Sequence, residues 1–450
     1  MTGVRLAWDQ LIALGAPRLR VAVLLLIAVA SASAEPVAAQ ALQGPIKVGV
    51  MLDHTGPFAA AGSLASYRGT KLIIDMVNEK GGVLGKYRLQ QIDADSQSKA
   101  EVAINEAERL LNAEKVDMLV GIYSSAHAVP LSEKVDRQKK FLWITVAISD
   151  AVFKGRNLQY TFRPQANSGK FGELSVQYIA AYAEERFKKA PKDLRVAIIY
   201  EDGPYGTGVG TSNEAEAKRQ GMQVVLKEGY SAQSPDLSSL VTKLRAARPD
   251  VLFHTGYNPD ITLFLRQSKE LGFRVRAMIG HGAGHSQIDK LREAFGDDVE
   301  YLHTVDPVAA QLLDRKGLRP DLARLIDEME RRYKALYGEG ELPPHVSMGF
   351  NNTWILLNDV LPRAIQQYHG WDPDALARAA RDTDIPEGGT LQGYGVKFYP
   401  PGHEMAGQNM RAFPVVYQAQ RGKFEIVYPK SVQAKSPMLP LPASSPFAAR

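Results

Sequence analysis

Short apolar runs alternate with longer stretches whose apolar residues recur every three or four positions, which predicts strands separated by helices. The first run, Ile46-Lys-Val-Gly-Val-Met-Leu52, ends at the turn Asp53-His-Thr-Gly-Pro57, and a helical pattern follows from about Ser63 to Glu79, where Gly81-Gly82 stops it. Strands are then expected at Tyr87–Asp93, Val116–Ile122 and Phe141–Val146, with helices at about Ser98–Asn112 and Ala126–Gln138 between them. Alternation of this length implies right-handed crossovers and a parallel sheet.

The pattern restarts after Tyr160-Thr-Phe-Arg-Pro164. Helices are expected at about Gly169–Phe187, Gly208–Gln220, Leu237–Ala247 and Asp260–Leu271. The strands are Leu194–Tyr200, Met222–Tyr230, Asp250–His254, Val275–Gly280 and Glu300–Thr304. Two sets of one pattern read as two similar, doubly wound α/β lobes, as expected for a chain too long for one core. From Pro320 the texture changes to helices at about Pro320–Tyr337, His345–Tyr368 and Pro373–Asp382 with no strand between them. Strands Gly395–Tyr399, Ala412–Gln420 and Lys423–Tyr428 follow, the last two joined at Arg421-Gly422 as a hairpin. The tail, 431–450, is rich in Pro, Ser and Ala and is expected to be disordered.

Residues 1–41 read as an export signal: Arg5, Arg18 and Arg20 precede the apolar run Val21–Ala30, and Ala34 or Ala41 suits a cleavage site. That run is shorter than the about 20 residues that cross a bilayer. A periplasmic protein is expected, and the absence of cysteine removes lipid attachment, disulfides and thiolate chemistry. With cleavage after Ala34, loss of the three arginines and Asp9 takes the formal net charge from +5 to +3, and cleavage after Ala41, which also removes Glu35, leaves +4; either is too mild for a nucleic-acid partner.

Candidate chemistry collects at strand ends. Ser124 and Ser125 follow one expected strand and Ser149 the next, so adjacent parallel strands bring them to one crevice. Serine at such a junction caps the following helix, and a carboxylate bound there would use the same free N–H donors, so the two readings are compatible. Tyr205 and Tyr257 follow strands of the second lobe, where a ring can close over a ligand or pack locally. Gly206-Thr-Gly-Val-Gly210 lacks the third glycine of a dinucleotide loop, since position 211 is Thr211. His281 and His285 are four apart, but the glycines between them oppose a helical metal site, and no metal or cofactor is expected.

At these residues the chain resembles the periplasmic branched-chain amino-acid-binding proteins of ABC importers, a type I solute-binding fold. The words that carry the resemblance are Thr55-Gly-Pro57, Val77-Asn-Glu-Lys-Gly-Gly-Val83, Asp93-Ala-Asp95, Ser124-Ser125, Tyr205-Gly206 and Gly256-Tyr-Asn-Pro-Asp260. It implies lobes crossed near Arg163, Asp306 and Gly393. The first lobe would comprise 42–163 and 307–393, the second 164–306 and 394–430. It also implies that Ser124 and the turn Ala147, Ile148 and Ser149 hold a ligand carboxylate, with Tyr205 and Tyr257 on the closing lobe. The family's acidic partner for an amino group falls near Gly282, which suggests a carboxylate without an amino group, aromatic acids included, with His281 or His285 as polar partners. Ala61 replaces a family aromatic and leaves more room, and the family's first-lobe disulfide would fall near Ser96 and Tyr123. The expectation is a monomeric, non-enzymatic receptor that passes its ligand to ABC permease subunits. A hydrolase using Ser124 and a periplasmic sensor domain are the alternatives.

Overall fold

The structure, a computed structural model, describes residues 44–338 and 342–449, so the expected export signal lies outside the described residues. Five parallel strands build the first sheet: β1 (Ile46–Leu52), β2 (Leu89–Asp95), β3 (Met118–Gly121), β4 (Phe141–Ile144) and β5 (Thr161–Phe162). Every residue of β3 and β4 is buried, which suits their unbroken apolar sequences and a sheet covered on both faces. Helices α1 (Leu64–Glu79), α2 (Ala100–Glu108) and α3 (Ser125–Arg137) link the strands. The order β2-β1-β3-β4-β5 reverses direction at β1, so a crevice opens where the C-terminal ends of β1 and β3 diverge.

The second lobe repeats the scheme with α4 (Ser168–Tyr182), β6 (Arg195–Glu201), α5 (Pro204–Arg219), β7 (Gln223–Tyr230), α6 (Ser238–Ala247), β8 (Val251–Thr255) and α7 (Asn258–Glu270). It continues through β9 (Ala277–His281), α8 (Gly282–His285), α9 (Ile288–Phe295) and β10 (His303–Pro307). The chain then leaves this sheet for α10 (Pro320–Tyr337), α11 (Pro344–Ile355), α12 (Leu361–Tyr368) and α13 (Pro373–Arg381). Helix α11 lies against α1 of the first lobe. A Cβ on Gly69 would stand 2.2 Å from the Val346 carbonyl oxygen, and one on Gly349 2.0 Å from that of Ser66, so these two glycines let the backbones touch. Leu72, Ile73, Met76, Ile326, Val346 and Phe350 fill this seam. After the short pair β11 (Asp384–Ile385) and β12 (Val396–Lys397), the chain rejoins the second sheet as the antiparallel hairpin β13 (Pro414–Gln420) and β14 (Lys423–Tyr428). The second sheet runs β14-β13-β10-β9-β8-β6-β7.

Three expectations change. The tail is not loose: Phe447 is fully buried in the second-lobe core, and Val275 N–H donates to its carbonyl at 2.9 Å. Its Phe and Leu residues find an apolar edge that composition does not reveal. Strand β2 starts two residues late because Val83 and Tyr87 pair across a tight turn. Strand β10 starts three residues late, after the turn Gly296–Val299, and this moves Asp306 to the strand's C-terminal end.

Candidate functional site

Where the two lobes face each other, strand ends line a partly open cleft of about 370 Å³, solvent-open space included. Its first-lobe wall includes Tyr123, Ser125, Val146, Ile148 and His345, and its second-lobe wall Tyr205, Tyr257, Gly282 and Asp306. The lining has the mixture of apolar surface and a few polar groups that small-molecule pockets show.

On the first-lobe side the backbone is turned sharply. Gly121 (φ 129°) and Ile122 (φ 65°) both take left-handed conformations, and for a β-branched residue this costs about 1–3 kcal/mol. The turn carries the chain from β3 directly into α3. Ser124 caps that helix, its hydroxyl accepting from Ala126 N–H at 3.2 Å, while Ser125 opens it and has no intrahelical partner for its own N–H. The neighbouring turn is held from below. The fully buried Arg163 guanidinium donates to the carbonyls of Ala147 and Ser149, both at 2.9 Å, and to Gln408 at 2.5 Å. Burial lowers the Arg163 pKa to about 9, which leaves it charged at neutral pH. Within the turn, Ala147 N–H donates to Ile122 O and Ser149 N–H to Ser125 Oγ, which leaves the Ile148 N–H without a partner among the described residues.

On the second-lobe side a buried acid fixes each tyrosine. The Glu201 carboxylate accepts from Gly203 N–H at 2.7 Å and Gly206 N–H at 2.6 Å, bracketing Tyr205 at the start of α5. Asp260 accepts from Tyr257 N–H at 2.9 Å and from the Tyr230 hydroxyl at 2.7 Å. Burial pushes the Asp260 pKa up to about 7. Burial likewise holds the phenols of Tyr123, Tyr205 and Tyr257 well above their ordinary value, so they remain neutral donors. The lobes touch through these rings: the Tyr257 ring centre lies 4.6 Å from that of Phe58, and its hydroxyl lies near Ser124.

Of the residues singled out in the sequence, Ser125, Ile148, Tyr205, Tyr257 and Gly282 line the cavity. Ser124 stands behind it as cap and Tyr257 contact. Ala147 and Ser149 shape the turn through their carbonyls, and the Ser149 hydroxyl accepts from Ala151 N–H at 3.2 Å. The imidazoles of His281 and His285 are corrections. His281 is bonded to Thr255 at 2.9 Å and Ser175 at 3.0 Å inside the second lobe, and only its carbonyl faces the site, accepting from the Tyr205 hydroxyl at 2.7 Å. His285 folds back over Gly280, where a Cβ would stand 2.0 Å from its ring, and meets His254 at 3.3 Å. Burial lowers both imidazoles to about 3, so they are neutral structural groups. Among the described residues no three His, Cys, Asp or Glu side chains are grouped to hold a metal ion.

Sequence reasoning missed Asp306, His345 and Phe58. Asp306 was read only as a crossing point, yet it lines the cavity beside Gly282, so the site does contain an acid. The Phe58 ring packs 5.9 Å from Tyr123 and 5.7 Å from His127. The Ala61 carbonyl accepts from Tyr123 at 2.5 Å and from Gln287 of the other lobe at 3.2 Å. Ser96, at the family's disulfide position, instead donates to the buried Asp53 at 2.6 Å.

Two α/β lobes that close strand ends over a small cavity define a solute-binding protein of the two-lobed type. The family model described as periplasmic binding protein matches residues 45–422, and the chain belongs to that family. Its curated relatives include a Leu/Ile/Val-binding protein homolog 8 of Brucella abortus (strain 2308), 33% identical over 86% of this chain and 91% of the relative. A Leu/Ile/Val-binding protein homolog 7 from the same organism is 32% identical over 92% and 99%. Among solved structures the fold is similar to a leucine binding protein LivK from Thermotoga maritima (TM-score 0.68, 20% identity, 85% of this chain, 97% of that one). It is also similar to the branched-chain amino acid transporter substrate binding protein LivJ from Streptococcus pneumoniae in complex with isoleucine (TM-score 0.66, 17% identity, 85% and 98%). This is a family of solute-binding proteins and not of enzymes, which removes the hydrolase alternative.

Proposed function

We propose that the chain captures a small carboxylate-bearing ligand, amino acid-like or an aromatic acid, between its lobes in the periplasm and delivers it to ABC permease subunits. One observation carries the reading. Ser125 and the Ile148 turn supply hydroxyl and N–H donors to the same cavity that Tyr205 and Tyr257 of the other lobe line. A carboxylate bound there would satisfy donors that the protein leaves free and would benefit from the start of α3. Relatives named for leucine, isoleucine and valine, and a structural neighbour holding isoleucine, support a ligand of that size. Closure follows from differential affinity: a ligand that touches both walls binds the closed form more tightly and shifts the population toward it.

The test is a thermal-shift screen of the mature chain against aliphatic and aromatic amino acids beside the matching carboxylates, amides and sugars. A raised melting temperature confined to carboxylates supports the reading. Stabilisation by neutral amides or sugars with no response to any carboxylate would overturn it.

A further inference from the structure

The acid that the sequence lacks at Gly282 reaches the cavity from another element. Asp306 is the penultimate residue of β10, is 2% exposed, and its Oδ2 finds no hydrogen-bond partner among the described residues. A Cβ placed on Gly282 would stand 3.2 Å from Asp306 Oδ1 and 3.2 Å from the Tyr205 hydroxyl, so a side chain at 282 and an open Asp306 compete for one space. Gly282 itself adopts φ +34°, and Ala283 follows at φ 30°, a turn that keeps backbone rather than side chain at this wall.

Resting on the carboxylate-capture reading above, we propose that Asp306 is the acceptor for a cationic N–H group of the ligand and so determines its specificity. An ammonium buried without an acidic partner is costly, and so is a carboxylate buried without a donor. Each removes the other's penalty. The groups facing Asp306 fit this role. The Ser286 hydroxyl on α8's C-terminal side and the phenols of Tyr123, Tyr205 and Tyr417 lie near it, the His345 imidazole lines the same cavity, and burial keeps those phenols and that imidazole neutral. No neighbouring cation therefore competes with the ligand's among these groups. In the free protein burial raises the Asp306 pKa to about 7, so near neutrality the carboxyl is poised to ionise when a cation arrives.

Calorimetry on the mature full chain with two matched pairs tests this: L-leucine against 4-methylpentanoate, and L-phenylalanine against 3-phenylpropanoate. Wild type should prefer the amino-bearing member of at least one pair by about tenfold or more. Asp306→Asn should erase that preference by weakening the amino acid while sparing the plain acid. Between pH 5.5 and 8, wild-type affinity for the amino acid should rise with pH up to about 7 and then level off, because binding releases the Asp306 proton. In the Asn variant this slope should vanish. Plain acids bound as tightly as their amino counterparts, or a pH slope unchanged in Asp306→Asn, would overturn the role of Asp306 alone. Binding of none of the four by wild type would overturn the capture reading and this proposal with it. An Asn variant that fails to fold would also count against it, since a ligand-directed acid is dispensable for the free protein.

Discussion

The two walls of the cavity are built by different means. The first-lobe wall uses local backbone devices: a left-handed turn at Gly121-Ile122, a serine cap, and carbonyls pinned by Arg163. Its donors are main-chain groups and a hydroxyl, whose charge state never changes. The second-lobe wall is built on buried acids, with Glu201 and Asp260 fixing the tyrosines and Asp306 left open. Carboxylates accepting backbone N–H bonds hold long side chains firmly, but they are removed from water at a cost that appears as raised pKa values at Asp260 and Asp306. One wall thus rests on main-chain groups and a hydroxyl, and the other on titratable carboxyls.

That contrast can be broken in graded steps. Tyr257→Ala should have the largest effect on binding, costing about 2 kcal/mol or more, the scale of a buried aromatic anchor at an interface. Because Tyr257 spans the interlobe gap, the melting temperature of the ligand-free protein should change little. A large drop would mean that the ring belongs to the second-lobe core. Ser125→Ala should weaken the same ligand by about 1–3 kcal/mol in calorimetry, the range for hydrogen bonds to a charged group. Ser124→Ala should show the reverse balance. Loss of the cap costs about 1 kcal/mol of stability, visible in denaturant unfolding, with a smaller change in affinity. Equal effects of the two serines on affinity would remove the distinction between lining and capping.

The sequence was most informative where structure is local. Strand and helix alternation through Ile46–Leu52, Met118–Gly121 and Phe141–Ile144 followed from apolar runs, and the serines were found because strand ends in a parallel sheet converge. What stayed hidden depended on register and on glycine. Asp306 was lost because the run from Glu300 to Asp306 fits a strand in more than one register, and the turn Gly296–Val299 selects the later one. The histidines were misassigned because Gly280 lets the His285 ring fold inward, an option that spacing alone does not reveal. The tail was mistaken because composition describes the segment and not the surface awaiting it.

Serine-tipped strand ends of one lobe and tyrosines of the other are expected to hold the ligand between them. A ligand-bound crystal structure, using the strongest carboxylate of the thermal-shift screen, tests this directly. Carboxylate oxygens are expected within hydrogen-bonding distance of the Ser125 hydroxyl and the Ile148 N–H, with Tyr205 and Tyr257 over the opposite side. A carboxylate held anywhere else, such as the groove between Lys334 and Phe424, would contradict it.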